Sequence, residues 1–376
     1  MSFHVHKTMY NASRYANLGT KYYKEDNVQF GNAGQDAWAI YQFPDEPVLA
    51  VIVADGHGKY GHIYSKLTIS KALESLRKVT TDLVITKDYQ IGLFNKINTY
   101  LNNFMIHKIG GTTCSFVIIK KEDNISKVYL SYVGDSPIYV KVDGVVKLIG
   151  GDDSWDNKGA IERYLFHCKK NQLKPKRVIY SRINAIGGQD YSPWGIHGVV
   201  PVYDYDMETC TISLNYDNYL KIARLGFPHG IQRLEKYPTH KETHNTHWGT
   251  REIDIADPGY ENSGWGNTLE GILQMRTSIG DYHVKNDTPC DPIFKTYSFE
   301  SKSIFPNPIQ IGVMSDGWDD LGNPYQVIDL LNKTKEVDTI QAVTEYIRTI
   351  NPDRHSEFID GMNFKHDDTT AILVES

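Results

Sequence analysis

Cysteine is scarce in this chain: Cys114, Cys168, Cys210 and Cys290 are the only four in 376 residues. They are widely scattered and none sits in a CxxC pair. That excludes a disulfide framework and fits reduced, intracellular usage. Long apolar runs are also lacking. No stretch approaches the ~20 apolar residues that span a bilayer. The opening MSFHVHKTMYNASRYANLG has no apolar segment of the signal-peptide kind. The expectation is a soluble, cytoplasmic protein with no signal peptide and no membrane partner. Positive charge is not in surplus. The net charge is −6, which argues against a nucleic-acid partner. No Walker loop and no GxGxxG occur, so a nucleotide site is not indicated. Internal repeats and low-complexity tracts are absent too.

The chain does have material for a core, being 40% hydrophobic and 23% charged. Its length alone suggests roughly two domains. Strand-like runs recur at 37–43, 48–54, 127–134, 309–315 and 369–374. The run 138–149 reads as two strands around Asp143-Gly144, a strong hairpin signal. Helical periodicity appears in SKALESLRKV, with Ile69, Leu73 and Leu76, and again at Phe94, Ile97, Leu101 and Phe104. Val337, Ile340, Val343, Ile347 and Ile350 repeat in the same way before Pro352. Tight hairpins with helices between strand groups predict an α+β fold, helices covering antiparallel sheets. From about 170 to 265 the chain turns polar, aromatic and rich in Gly and Pro. This predicts a single domain over 1–376 with an inserted, loop-rich, flap-like segment at 170–265, not two equal domains.

The chemistry gathers at strand ends. VLAVIVA (48–54) stops at Asp55, Gly56 and His57. SYVG is followed by Asp135, and GVMS by Asp316, while Asp36 and Asp367 precede strands. In antiparallel sheets the end of one strand lies beside the start of the next, so these acids can converge on one edge. Each alone is also a common turn residue; it is their conjunction that points to a site. Clustered carboxylates repel unless cations neutralise them. An oxygen-rich set suits Mg²⁺ or Mn²⁺ better than Zn²⁺. Two such ions ~3.5–4 Å apart can bridge one water and aim it at phosphorus.

Motifs in sequence order resemble those of the metal-dependent protein phosphatases of type 2C, the PPM family. They are GQDAW (34–38), ADGHGKYG (54–61), GGTTCSFVII (110–119), YVGDSPIYV (132–140), MRTSIGD (275–281), MSDGWDDL (314–321) and HDDTTAILV (366–374). The resemblance covers most of the chain. It implies a central β-sandwich of two antiparallel sheets flanked by pairs of α-helices, with two or three Mn²⁺ or Mg²⁺ ions at one end. It implies that Asp55 bridges two ions and that Asp316 and Asp367 complete the first site. The Gly56 carbonyl, with Asp36 beside it, would serve the second. Asp135 and Asp320 match positions of a third ion, which Asp316 would share. His57 matches the general acid that protonates the leaving serine or threonine oxygen, a role worth about 10²–10⁴-fold.

Some positions depart from the pattern. Gln35 stands where eukaryotic members often carry a metal-binding Glu. Gly31 stands where many carry an Arg that grips phosphate, leaving Lys21, Lys24 or a basic residue of the insert to substitute. Pro137 follows Gly-Asp-Ser where Arg is frequent, and Trp318 and Asp319 are swapped, so Asp319 competes with Asp320 as a ligand. In the insert, His240, His244 and His247 read as solvated loop histidines, and Trp194, Trp248 and Trp265 as packing. The insert itself reads as a surface for substrate selection or a protein partner, or else as a solvated decoration with no role.

The expected function is hydrolysis of phosphoserine and phosphothreonine on a phosphoprotein, by a monomer. The first alternative is a pseudophosphatase that binds phosphoproteins without turnover. The second is a two-metal phosphoesterase acting on other substrates, which the acidic balance and motif order disfavour.

Overall fold

The structure, a computed structural model, describes residues 3–10, 20–105, 110–155, 157–176, 178–182, 200–201, 203–215, 241–246, 249–254, 265–269, 275–282, 289–300, 309–318, 328 and 368–376. The chain forms two compact units, Met1–Asp152 with Thr277–Ser376, and Asp153–Arg276.

The first unit begins with β1 (His4–Tyr10), β2 (Thr20–Glu25), β3 (Val28–Ala33), β4 (Asp36–Gln42) and β5 (Val48–Ala54). Helices α1 (Gly61–Leu76) and α2 (Lys87–Phe104) follow. Then come β6 (Cys114–Glu122), β7 (Ile125–Val133), β8 (Ile138–Val142) and β9 (Val145–Gly150). The last three are β10 (Ile293–Glu300), β11 (Gln310–Met314) and β12 (Thr369–Glu375). One sheet runs β2-β3-β4-β5-β6-β7-β10 and the other β1-β12-β11-β8-β9. Every pairing within them is antiparallel.

Side-chain alternation explains how these sheets stack. Along β5, Leu49, Val51 and Val53 meet Ile311, Val313, Ile372 and Val374 of the second sheet in one apolar layer. Val48, Ala50, Ile52 and Ala54 point the other way, into a layer closed by Tyr64, Leu73, Leu76, Phe94 and Leu101 of the two helices. Both faces of β5 are therefore covered, which is why its sequence is apolar throughout and not alternating. Alanines at 37, 39, 50 and 54 keep the helix-facing surface shallow, so that α1 lies close against β4 and β5. The expected α+β class, with two antiparallel sheets face to face and a helix pair outside one of them, is what the described residues form.

Details differ from expectation in readable ways. Helix α1 starts well before the periodic stretch at 70–79, because its first turns bury Gly61, Tyr64, Ser65 and Thr68 in place of large aliphatics. In α2 the apolar stripe stops at Leu101; Phe104 is 56% exposed. Thr86 caps α2 by accepting from Tyr89 N–H at 3.3 Å. The Asp143-Gly144 hairpin is present, with φ of 49° and 81° at its two turn residues, the left-handed pair such a turn needs. The expected helix around 337–350 lies outside the described residues.

In the second unit, helix Lys158–Lys170 is capped by Asn157, whose Oδ1 accepts from Gly159 and Ala160 N–H. Strands Val178–Arg182, Val200–Pro201 and Trp265–Leu269 form a small antiparallel sheet. Asp153, fully buried, holds Arg276 Nε and an Arg163 terminal nitrogen, each at 2.8 Å. The segment expected at 170–265 falls within this unit. Trp194, His240, His247 and Trp248 lie outside the described residues; His244 belongs to the hairpin strand Lys241–Thr246. None of the four cysteines is in a disulfide. Among the described residues no helix is long and apolar enough to cross a membrane.

Candidate active site

Strand pairing brings the acids together. β4 and β5 pair with Ala37 opposite Ala54, which puts Asp36 and Asp55 one step further out on the two adjoining strand ends. Asp36 is fully buried, and its Oδ2 accepts from Ser315 Oγ at 2.7 Å. Ser315 follows β11 and is fixed to Thr370 by two bonds: its N–H donates to Thr370 O at 2.9 Å, and its Oγ accepts from Thr370 N–H at 2.8 Å. One serine thus ties the second sheet to the first and sets Asp316, the next residue, beside the same edge.

Asp367 lies outside the described residues, as do Asp319 and Asp320. Its neighbour Asp368 is buried, and its Oδ2 accepts from Gln35 N–H at 2.7 Å. The close approach demands glycine at two places. A Cβ on Gly34, whose φ is +56°, would stand 2.1 Å from Asp368 Oδ2, and one on Gly317 would stand 2.4 Å from Asp368 O. This packing sets the GQD and SDG motifs against the start of β12.

Asp135 follows Gly134 at the end of β7. Gly134 N–H donates to Thr277 Oγ1 at 2.9 Å, and Ser136 is held by Thr113 (Oγ to Oγ1, 2.5 Å) and by Ser115 (Oγ donating to Ser136 O, 2.6 Å). Gly56 and His57 form a short strand against Gly111–Thr112. Thr113 N–H and Thr112 Oγ1 both donate to Asp55 O, at 2.8 and 2.7 Å. The Gly-Thr-Thr motif therefore fixes the backbone that carries Asp55, Gly56 and His57.

His57 gains a partner that the sequence reading gave no role. Its Nε2 lies 2.7 Å from Asp281 Oδ2, and Asp281 is 1% exposed. Ser278 Oγ donates to the same oxygen at 2.6 Å, and Asp281 N–H donates to Gly110 O at 2.9 Å. Burial pushes the imidazole pKa down, but the Asp281 carboxylate, with Asp135 and Asp316 further off, outweighs it and the net shift is upward. His57 Nδ1 is buried and has no hydrogen-bond partner among the described residues. The available signal was MRTSIGD, whose final residue is Asp281.

The departures acquire physical reasons. Gln35 is 4% exposed; its Nε2 donates to Gly58 O at 2.7 Å, and its backbone carbonyl accepts from Ser65 Oγ at 2.5 Å. A Glu carboxylate could not make the first bond, so the amide here holds the Asp-Gly-His-Gly loop. At Gly31 a Cβ would lie 2.3 Å from Lys21 O and 3.0 Å from the Trp38 ring, so no arginine fits. Pro137 O accepts from Met314 N–H at 3.0 Å, joining β8 to β11. Arg276 of MRTSIGD is spent on Asp153 in the second unit.

Among the described residues, no group of three or more His, Cys, Asp or Glu is arranged to hold a metal ion. The donor chemistry nonetheless suits a hard cation. Asp36 and Asp55 adjoin on neighbouring strands, and Asp316 Oδ1 is buried with no hydrogen-bond partner among the described residues.

No family model matches the chain, and no curated protein matches it. Solved structures do align along its length. A Caenorhabditis elegans sex-determining protein is 12% identical with a TM-score of 0.48; the alignment covers all of this chain but 65% of that one. A serine/threonine phosphatase from Staphylococcus aureus is 13% identical with a TM-score of 0.46, covering 100% and 96% of the two chains. One from S. agalactiae is 15% identical, also at 0.46, covering 99% of each.

Proposed function

We propose that this chain is a metal-dependent protein serine/threonine phosphatase. In this reading Asp36, Asp55, the Gly56 carbonyl, Asp316 and Asp367 hold two Mn²⁺ or Mg²⁺ ions, and Asp135, Asp316 and Asp320 a third. The ions, when bound, supply charge neutralisation and a water of lowered pKa.

The observation that carries the reading is the His57–Asp281 pair, set two residues beyond Asp55 on the same rigid strand end. Asp281 holds the ring through Nε2 and favours its charged form, and the imidazolium is the proton donor. A water attacks phosphorus in line and gives up one proton to solvent, the bond from phosphorus to the substrate Oγ breaks, and the departing oxygen takes a proton from the His57 imidazolium. Solvent then reprotonates the ring. No phospho-enzyme forms. The second sheet contributes Ser315, which orients Asp36 through its 2.7 Å bond.

A second reading, a pseudophosphatase that binds phosphoproteins without turnover, has its own support. Gly31 has no room for a phosphate-gripping arginine, and the Gln35 side chain is committed to Gly58. One assay separates the two. Hydrolysis of p-nitrophenyl phosphate and of a phosphothreonine peptide is expected with Mn²⁺, to vanish with EDTA, and to be lost in Asp316→Ala. Absence of metal-dependent turnover in the wild type favours the second reading.

A further inference from the structure

A cavity of about 390 Å³ opens between α1 and the helix-facing side of β2 and β3. Its position follows from register. Lys21 pairs with Asn32 and Asn32 with Ala37, so these three form one row across the sheet, and all three line the cavity. Ala37 is the neighbour of Asp36; the row therefore ends beside the strand edge that carries the candidate site. From the other wall, α1 contributes Lys66.

The cavity has two chemically different ends. Toward Asp36 stand Lys21 and Lys66, and among the described residues neither has a carboxylate partner. The two are close enough that Lys66 is held below its ordinary pKa, by burial first and by the Lys21 charge second. His62, one turn earlier on α1, is lowered by burial and by Lys66. The far end is electrically closed, since Arg77 and Glu25 pair there at 3.0 Å. Between the ends the floor is apolar: Phe30, stacked with Tyr23 at 5.0 Å, faces Ile69. Two like charges gathered over an apolar floor repel each other, and an anion placed between them relieves both.

We propose that this groove binds an anionic side chain, carboxylate or phosphate, on the peptide segment flanking the residue to be dephosphorylated. Lys21 and Lys66 grip the anion, and Phe30 and Ile69 pack against the apolar part of the same segment. The phosphatase would then select substrates with acidic or multiply phosphorylated surroundings. This deepens the phosphatase reading, and its test is chosen to stand apart from it.

Fluorescence anisotropy in EDTA measures binding without turnover. The probes are labelled peptides flanked by glutamate, by phosphoserine, or by glutamine. The wild type is expected to bind either acidic probe about tenfold more tightly than the glutamine probe, and Lys21→Gln and Lys66→Gln are each expected to abolish that preference. Lys24→Gln, on the same strand but outside the cavity lining, should retain it. Thermal midpoints verify that each variant folds; two independent lysines keep the test alive if one does not. Equal affinity for all probes, or equal loss in Lys24→Gln, overturns the proposal. Hydrolysis of p-nitrophenyl phosphate by the wild type with Mn²⁺, run in parallel, reports on the phosphatase reading alone. Turnover without acidic preference removes the groove; acidic preference without turnover retains the groove as an anion site and removes the phosphatase.

Discussion

Replacing Asp281 by asparagine is expected to slow hydrolysis of a phosphothreonine peptide by about 10²–10⁴-fold, while p-nitrophenyl phosphate slows far less. The physical reason is the leaving group. An alkoxide leaving from threonine is strongly basic and needs a proton as the phosphorus–oxygen bond breaks. Nitrophenolate is stable without one. Asp281 does not touch substrate; it is a positioning residue. Its carboxylate, itself fixed by Ser278 Oγ, holds the His57 ring by Nε2 and favours the charged imidazole, while its backbone N–H is anchored to Gly110 O. Asparagine keeps the shape but removes the charge. His57→Ala should give the same split between substrates, and the double variant should be little worse than either alone, as expected of groups that act as one unit. Steady-state kinetics on both substrates decides it. Equal slowing on the two would mean that Asp281 supports the fold of the loop and not proton transfer.

The largest effect on stability belongs to the second unit. Asp153→Ala is expected to cost about 3–5 kcal/mol, because it removes the carboxylate that pairs with the Arg276 guanidinium, which is 1% exposed. Arg163→Ala should cost much less, since that side chain is 40% exposed and solvent screens its charge. A pH dependence follows with definite sign. Burial alone would raise the Asp153 pKa, but Arg276 and Arg163 outweigh it, and the folded value lies below the ordinary 3.8. A depressed carboxyl contributes stability fully above the unfolded value and loses it as pH falls from there through the folded value. Urea unfolding of the wild type should therefore weaken on acidification below about pH 3.8, more steeply than that of Asp153→Ala. A variant within about 1 kcal/mol of the wild type at neutral pH would show that the ion pair adds little net energy.

Much of the first unit was legible in the sequence, for reasons its elements make plain. β5 reads as a strand because both its faces are covered and every position is apolar; the hairpin at Asp143-Gly144 reads because only a few residue types tolerate two positive φ angles in succession. The acids at strand ends could be collected on one edge from antiparallel pairing alone, and the structure places Asp36 beside Asp55 and Ser315 against Asp36. What escaped reading has equally physical causes. β10, IFKTYSFE, is only partly buried, so its apolar signal is thin. The early turns of α1 bury small and polar side chains, which erases periodicity. Lys158–Lys170 went unread as a helix because its buried face, Ala160, Ile161, Tyr164, Leu165 and Cys168, holds few large aliphatics. The His57–Asp281 contact joins positions 224 residues apart, and no local pattern reports such a meeting. The reasons for Gln35 and Gly31 are likewise tertiary: one amide meets the Gly58 carbonyl, and one missing Cβ makes room for the backbone of Lys21.

The central claim is that aspartates distant in sequence share divalent cations at one end of the paired sheets. Titration of the metal-free protein with Mn²⁺, followed by calorimetry, tests it most directly. The account predicts at least two Mn²⁺ bound per chain, with Asp55→Asn and Asp316→Ala each losing bound metal while retaining the wild-type circular dichroism. Manganese that fails to bind the wild type, or that binds the folded variants with unchanged number and affinity, would contradict it.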